Sequence, residues 1–178
     1  KLQMVRIPHF YYRMFEMGEW TYVLFCEQAP ESIGEFMDAT QWKEVTPCGY
    51  PRYRGIVKSI DGQSKLLSFS GENPTVSRSL INFQLDAKRT NPKATVTPYY
   101  IYEAITLLMV LELGRRNAQV FYTGITNAGT SYANAAVTGV TDTLTTPSGE
   151  VEVEYEEGKF TKQFRWRFIE CVYGQVWN

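Results

Sequence analysis

Apolar and polar side chains alternate through Met4-Val5-Arg6-Ile7-Pro8-His9-Phe10-Tyr11-Tyr12-Arg13, a stretch rich in strand formers. A second run, Trp20-Thr21-Tyr22-Val23-Leu24-Phe25-Cys26, follows Met17-Gly18-Glu19. Two such runs joined by a glycine-bearing turn predict a β-hairpin. Residues 27–47 hold two prolines and mixed polarity, which predicts an irregular loop with room for one helical turn. Residues 53–58 and 65–69 then predict a second strand pair turned at Asp61-Gly62, a strong hairpin dipeptide. Gly71-Glu72-Asn73-Pro74 closes that unit.

Two helices follow. Over residues 77–89, Leu80, Ile81, Gln84, Leu85 and Lys88 recur at helical spacing before Thr90-Asn91-Pro92 stops the pattern. Over residues 98–113 the signals are stronger: Thr97 can cap, Pro98 suits the first helical position, and Gly114 stands where a helix ends. The centre of this second helix is apolar nearly all round, which predicts burial on more than one face. Glu103 and Glu112 bracket a run shorter than the roughly 20 residues a bilayer needs. No membrane insertion is expected. Residues 117–149 are rich in Gly, Ala, Asn, Ser and Thr and read as loops with short strands. Residues 150–156 alternate acidic and apolar side chains, giving a strand with one carboxylate face. Residues 164–170 predict another alternating strand.

Composition narrows the chemistry. The chain has 178 residues with a formal net charge of −1, which suits one domain with a real core and excludes the basic excess of a dedicated nucleic-acid binder. Its single histidine, His9, rules out multi-histidine metal sites. Cys26, Cys48 and Cys171 have no short spacing between them, allow at most one bridge, and are expected to be structural. The acidic face of 150–157 reads as a solvated strand edge, because same-face carboxylates on a regular strand lie about 7 Å apart, too regular for a calcium loop. Neither a phosphate-binding glycine loop nor a Gly-x-Ser-x-Gly elbow is present. The residues alone therefore describe an aromatic-rich α+β domain with no catalytic residue, metal or cofactor to propose. Aromatic side chains make up 15% of the chain, which fits either a recognition surface or a core.

The order of landmarks carries more than any one of them. Ile7-Pro8-His9-Phe10-Tyr11-Tyr12, Arg52-Tyr53-Arg54-Gly55 and Ser70-Gly71-Glu72-Asn73-Pro74 come first. The helix from Tyr100 to Gly114 and the Gly124-Ile125-Thr126 turn follow, then Arg165-Trp166-Arg167-Phe168-Ile169-Glu170-Cys171-Val172-Tyr173-Gly174-Gln175-Val176-Trp177. This series resembles structural proteins of gut bacteriophages and prophages with a C-type-lectin-like fold, shared with the formylglycine-generating sulfatase-modifying family and the phage major tropism determinant. Gly174-Gln175-Val176-Trp177 matches that superfamily's Gly-Asn-Val-Trp-like signature, and Glu103 matches the acid early in its second helix. Phe168 departs from the pattern, which has glycine there, and Cys171 stands where asparagine is common.

The resemblance implies two helices packed on small twisted antiparallel sheets with long loops. It also implies a chain that stops where the ligand-facing half begins, so that these residues form the front of a longer domain. The expected core is helix 98–113 against strands 5–13, 150–156 and 164–170, with Tyr102, Glu103, Leu108, Leu111, Gly114 and Gly174 as scaffold positions. The function implied is a non-enzymatic virion component, such as a tail-fibre, tail-tip or decoration domain, located in the virion or outside the cell. Its partners would be other virion proteins, copies of itself (as a trimer by the resemblance), and a bacterial surface glycan or protein. Trp166, Tyr173 and Trp177 are the candidate ligand-binding residues. One alternative is a purely architectural virion protein that binds only its neighbours. Another is a cysteine-modifying oxidase of the same superfamily, whose characteristic cysteine pair has no counterpart in this sequence.

Overall fold

The computed structural model describes residues 2–28, 41–124 and 137–173. The architecture is α+β, with two α-helices and four small antiparallel sheets among the described residues. The first alternating run is divided at Pro8-His9 into β1 (Met4–Ile7) and β2 (Phe10–Met17). Proline supplies no ladder N–H, so the run breaks there and its halves join different sheets. β2 forms the expected hairpin with β3 (Trp20–Cys26), in register from Tyr11 opposite Cys26 to Met17 opposite Trp20.

The expectation of an irregular loop over 27–47 is corrected in part. Residues 29–40 lie outside the described set, but β4 (Lys43–Val45) adds to the other side of β2. β5 (Cys48–Pro51) pairs with β1. The second hairpin, β6 (Ile56–Ile60) with β7 (Gln63–Leu67), turns at Asp61-Gly62 with φ of 54° and 74°. Both central residues at positive φ make the turn whose twist matches its strands, which is why Asp-Gly stands there.

Helix α1 (Leu80–Thr90) starts later than its periodicity predicts, because Ser79 caps it by accepting the Asn82 amide at 3.3 Å. Its inward face also differs from the expected stripe. Asp86 and Ala87 are the buried residues, and Thr90 Oγ1 donates to the Leu66 carbonyl at 2.7 Å, so the helix docks on β7 through them. Leu80, Ile81 and Leu85 face outward. Burying Asp86 is possible because Arg78 and Arg89 pair with it at 2.5 and 3.1 Å.

Helix α2 (Tyr99–Leu113) ends at Gly114 with φ of 66°, as expected, but begins differently. Pro98 occupies the cap position itself and no side chain caps the helix, so Thr97 does not serve there. Ile101, Ala104, Ile105 and Met109 are buried. Tyr102, Glu103 and Leu108 are half-buried, whereas Leu111, expected in the scaffold core, is exposed. One face is thus buried and its flanks are partly covered. No helix among the described residues is long and apolar enough to cross a membrane.

The acidic strand is β8 (Gly149–Glu156), paired with β9 (Lys159–Trp166). The single strand expected over 164–170 is instead the end of β9, a two-residue turn at Arg167-Phe168, and β10 (Ile169–Glu170) folded back on β9. Arg167 and Phe168 take φ of 49° and 67°, so two side chains that carry no turn signal occupy a turn of the Asn-Gly kind. Cys171 follows at φ 54°. The main core joins Ile7, Phe10 and Tyr12 to α2 and to Phe164, Trp166 and Ile169. No described side chain of β8 belongs to it.

Candidate functional site

The residues expected to face a ligand are the first to place. Trp166, the last residue of β9, is 4% exposed inside the main core. Its indole N–H is buried and finds no acceptor among the described residues. The Tyr173 ring packs against Phe164 at 4.5 Å between centroids, and its hydroxyl donates to the Tyr122 carbonyl. Burial first, then the Glu150 carboxylate, pushes the Tyr173 phenol up to about 12. Trp177 and Gly174 lie outside the described residues. Of the two described members of the predicted set, Trp166 is buried in the core and Tyr173 is half-buried against Phe164 of β9.

Two polar clusters stand behind that face. Glu170 on β10 is almost wholly buried and accepts from the Gly139 amide at 2.8 Å, the Thr141 amide at 3.2 Å and Thr141 Oγ1 at 2.6 Å. Burial raises its carboxyl above the ordinary range, although those three donors pull the other way. Arg165, also buried, donates to the carbonyls of Thr141 and Leu144 at 2.9 and 2.6 Å and to that of Thr146. Asp142 accepts from Tyr53 Oη at 2.7 Å and from Arg52 at 2.8 Å. The Glu170 and Arg165 bonds hold segment 138–146 against β9 and β10, and those of Asp142 hold it to Arg52 and Tyr53 between β5 and β6. Glu170 and Arg165 spend their hydrogen-bonding capacity on backbone and hydroxyl groups, which is the arrangement of a clasp and leaves no acid–base pair facing solvent.

The second cluster lies at the start of α2. Tyr12 Oη donates to Glu103 Oε2 at 2.6 Å, and Lys43 Nζ reaches the same oxygen at 2.6 Å. Burial and then the Glu103 contact raise the Tyr12 phenol well above its ordinary value. Burial alone would raise Glu103, but the hydrogen bonds from Lys43 and Tyr12 prevail and its carboxyl is lowered. Glu103 thus ties α2 to β2 and β4.

The three cysteines are unpaired. Burial pushes the Cys171 thiol far up and raises that of Cys48 as well, the opposite of an activated thiolate. Cys48 lines a shallow groove of about 340 Å³ with Met4, Arg6, Pro47 and Gly49, which places no histidine or carboxylate beside the thiol. Among the described residues no group of three or more His, Cys, Asp or Glu side chains is placed to hold a metal ion.

What sequence reasoning missed is the outer surface. Leu80 and Ile81 on α1 are 62% and 69% exposed, with Leu85 beside them. Met14, Met17 and Trp20 are exposed around the β2–β3 turn. Periodicity finds an apolar stripe but does not say which way it points, and for α1 the only signal was the length of Arg78 and Arg89 around Asp86. Compared with known proteins, the chain matches no family model, no curated protein and no solved structure at a significant level.

Proposed function

We propose that the chain is a non-enzymatic structural component of a bacteriophage virion, carrying a C-type-lectin-like scaffold and binding its neighbours in the particle. The scaffold reading is supported by where the sequence departs from the family pattern. Phe168 and Cys171, standing for glycine and asparagine, both have left-handed backbone, the conformation those two residues tolerate best. The assembly role rests on one observation: α1 turns Asp86 and Ala87 inward and leaves Leu80, Ile81 and Leu85 in water. Contiguous exposed apolar side chains of this kind mark surfaces that a partner covers. Host-surface binding takes second place, because Trp166 is buried and Tyr173 is half-buried against Phe164.

Mass spectrometry of purified phage particles carrying this sequence is the test, alongside binding of the isolated chain to bacterial cells. Peptides of the chain in the particle, no cell binding, and loss of incorporation on Leu80→Glu with Ile81→Glu are expected. Because both side chains are exposed, these changes leave the fold stable to within about 0.5 kcal/mol. Absence from the particles, or incorporation unaffected by the double substitution, overturns the reading.

A further inference from the structure

The sheet edges of this molecule are not alike. β8 carries Glu150, Glu152 and Glu154 and a register irregularity between Glu154 and Glu156. β4 and β10 have three and two residues, and β5 ends in Pro51. Charges, irregularities, shortness and proline all discourage a strand edge from taking another strand. β3 has none of them. It is seven residues long, Trp20-Thr21-Tyr22-Val23-Leu24-Phe25-Cys26, uncharged and without proline, and it pairs with β2 along its whole length with no register shift. In the sheet order β3-β2-β4 it is terminal, and no backbone hydrogen bond from any described residue reaches its outer side. None of its residues is buried, whereas β2 beside it buries Phe10, Tyr12 and Arg13.

We infer that the open edge of β3 pairs antiparallel with β3 of a second copy of this chain, about a two-fold axis at Val23. The strand is complementary to itself in this arrangement. Val23 meets Val23, Thr21 meets Phe25, Tyr22 meets Leu24, and Trp20 meets Cys26 of the other copy, so no charge opposes a charge. Cross-strand pairs of β-branched and aromatic side chains are those that stabilise antiparallel sheets. The same pairing between two β8 edges would set glutamates against glutamates. A two-fold contact also closes on itself, using the edge in both copies and extending no further. Trp20, 72% exposed in the single chain, gains a neighbour across the new edge. The pairing gives the assembly reading one of its neighbours and rests on that reading for its place in a particle, while the contact itself is a property of the isolated chain.

The test is light scattering of the chain across a concentration series, with two variants. The unaltered chain is expected to form a dimer, and its tryptophan emission to shift to the blue as the dimer forms. Val23→Lys sets two ammonium groups on the axis and is expected to weaken dimerisation by about tenfold or more. Val23 lies opposite exposed Met14, so the lysine has a route to solvent and the circular dichroism spectrum should not change. Val23→Cys, with Cys26→Ser and Cys48→Ser, is expected to give a covalent dimer on oxidation that reductant reverses. Directly opposed residues of antiparallel strands lie about 4.5–5.5 Å apart at Cα, within disulfide reach. A chain that stays monomeric overturns the inference, as does a dimer that survives Val23→Lys and yields no cross-link. A dimer abolished by the α1 double substitution and untouched by Val23→Lys assigns the contact to α1 and overturns the β3 pairing while leaving the assembly reading standing.

Discussion

Glu103 shows how one side chain can hold two elements to a third. Its oxygen takes the Tyr12 hydroxyl from β2 and the Lys43 ammonium from β4, while the Tyr12 ring is fully buried beneath. Lys43 remains half in water, so the ion pair itself is screened, and the shielded hydroxyl–carboxylate bond is the stronger of the two. Because the folded state lowers the Glu103 carboxyl, its contribution is present above the unfolded value of about 4.3 and is lost as pH falls through the folded value. Denaturation midpoints measured from neutral pH downward should therefore fall more steeply below about pH 4 in the parent than in Glu103→Gln. At neutral pH the glutamine variant should be less stable by about 1 kcal/mol. Equal slopes for the two proteins in that acid window would show that the contact does not distinguish the charged from the neutral carboxyl.

At the scale of elements, the β9–β10 turn sets backbone strain against side-chain contact. A left-handed L-residue costs roughly 1–2 kcal/mol. At Phe168 that cost is offset by the Arg165 and Arg52 guanidinium groups, 5.4 and 5.9 Å from the ring centre. Phe168→Gly and Phe168→Val both remove the ring, but only glycine accepts the left-handed backbone. The glycine variant should be the more stable of the two by at least about 1 kcal/mol in urea unfolding. The same turn explains which elements were legible. The β2–β3 and β6–β7 hairpins announce themselves because Gly18 and Asp61-Gly62 are local turn chemistry, and α2 because its apolar run and Gly114 are local too. β4 and β5 are too short for periodicity, and their existence depends on distant partners in β2 and β1. Arg167-Phe168 reads as strand because nothing in its composition favours a turn; the pairing of Ile169 with Trp166 imposes one. The placement of Trp166 was illegible for a related reason. Aromatic residues on an alternating strand are as well suited to a core as to a binding face, and the strands packed around Trp166 decided between them.

At the scale of the molecule, the apolar interior of the described residues has two centres. The main core runs through β1, β2, α2, β9 and β10, while Ile56, Leu67 and Ala87 are buried outside it, where β6, β7 and α1 pack on one another. The bridge between them is largely polar and passes through segment 138–142. Thr138 Oγ1 donates to the Phe69 and Glu72 carbonyls on one side, and Gly139, Thr141 and Asp142 bond Glu170, Tyr53 and Arg52 on the other. Hydrogen bonds of this kind contribute about 1 kcal/mol each and are lost together when the segment moves. Gly139 is where the bridge is most sensitive. Its φ is 87°, and a Cβ there would lie 1.9 Å from Ser70 Oγ. Gly139→Ala should destabilise the clasp by about 2 kcal/mol or more through strain and collision together. Local opening follows the cooperative units of a structure, so the loss should not be uniform. Amide hydrogen exchange should accelerate over β6, β7 and α1 by at least about tenfold, since 1.4 kcal/mol corresponds to that factor, while α2 and β9 change much less. If exchange instead rises equally in α2 and α1, the two centres open as one unit, and the polar bridge is no weaker a joint than the core it connects.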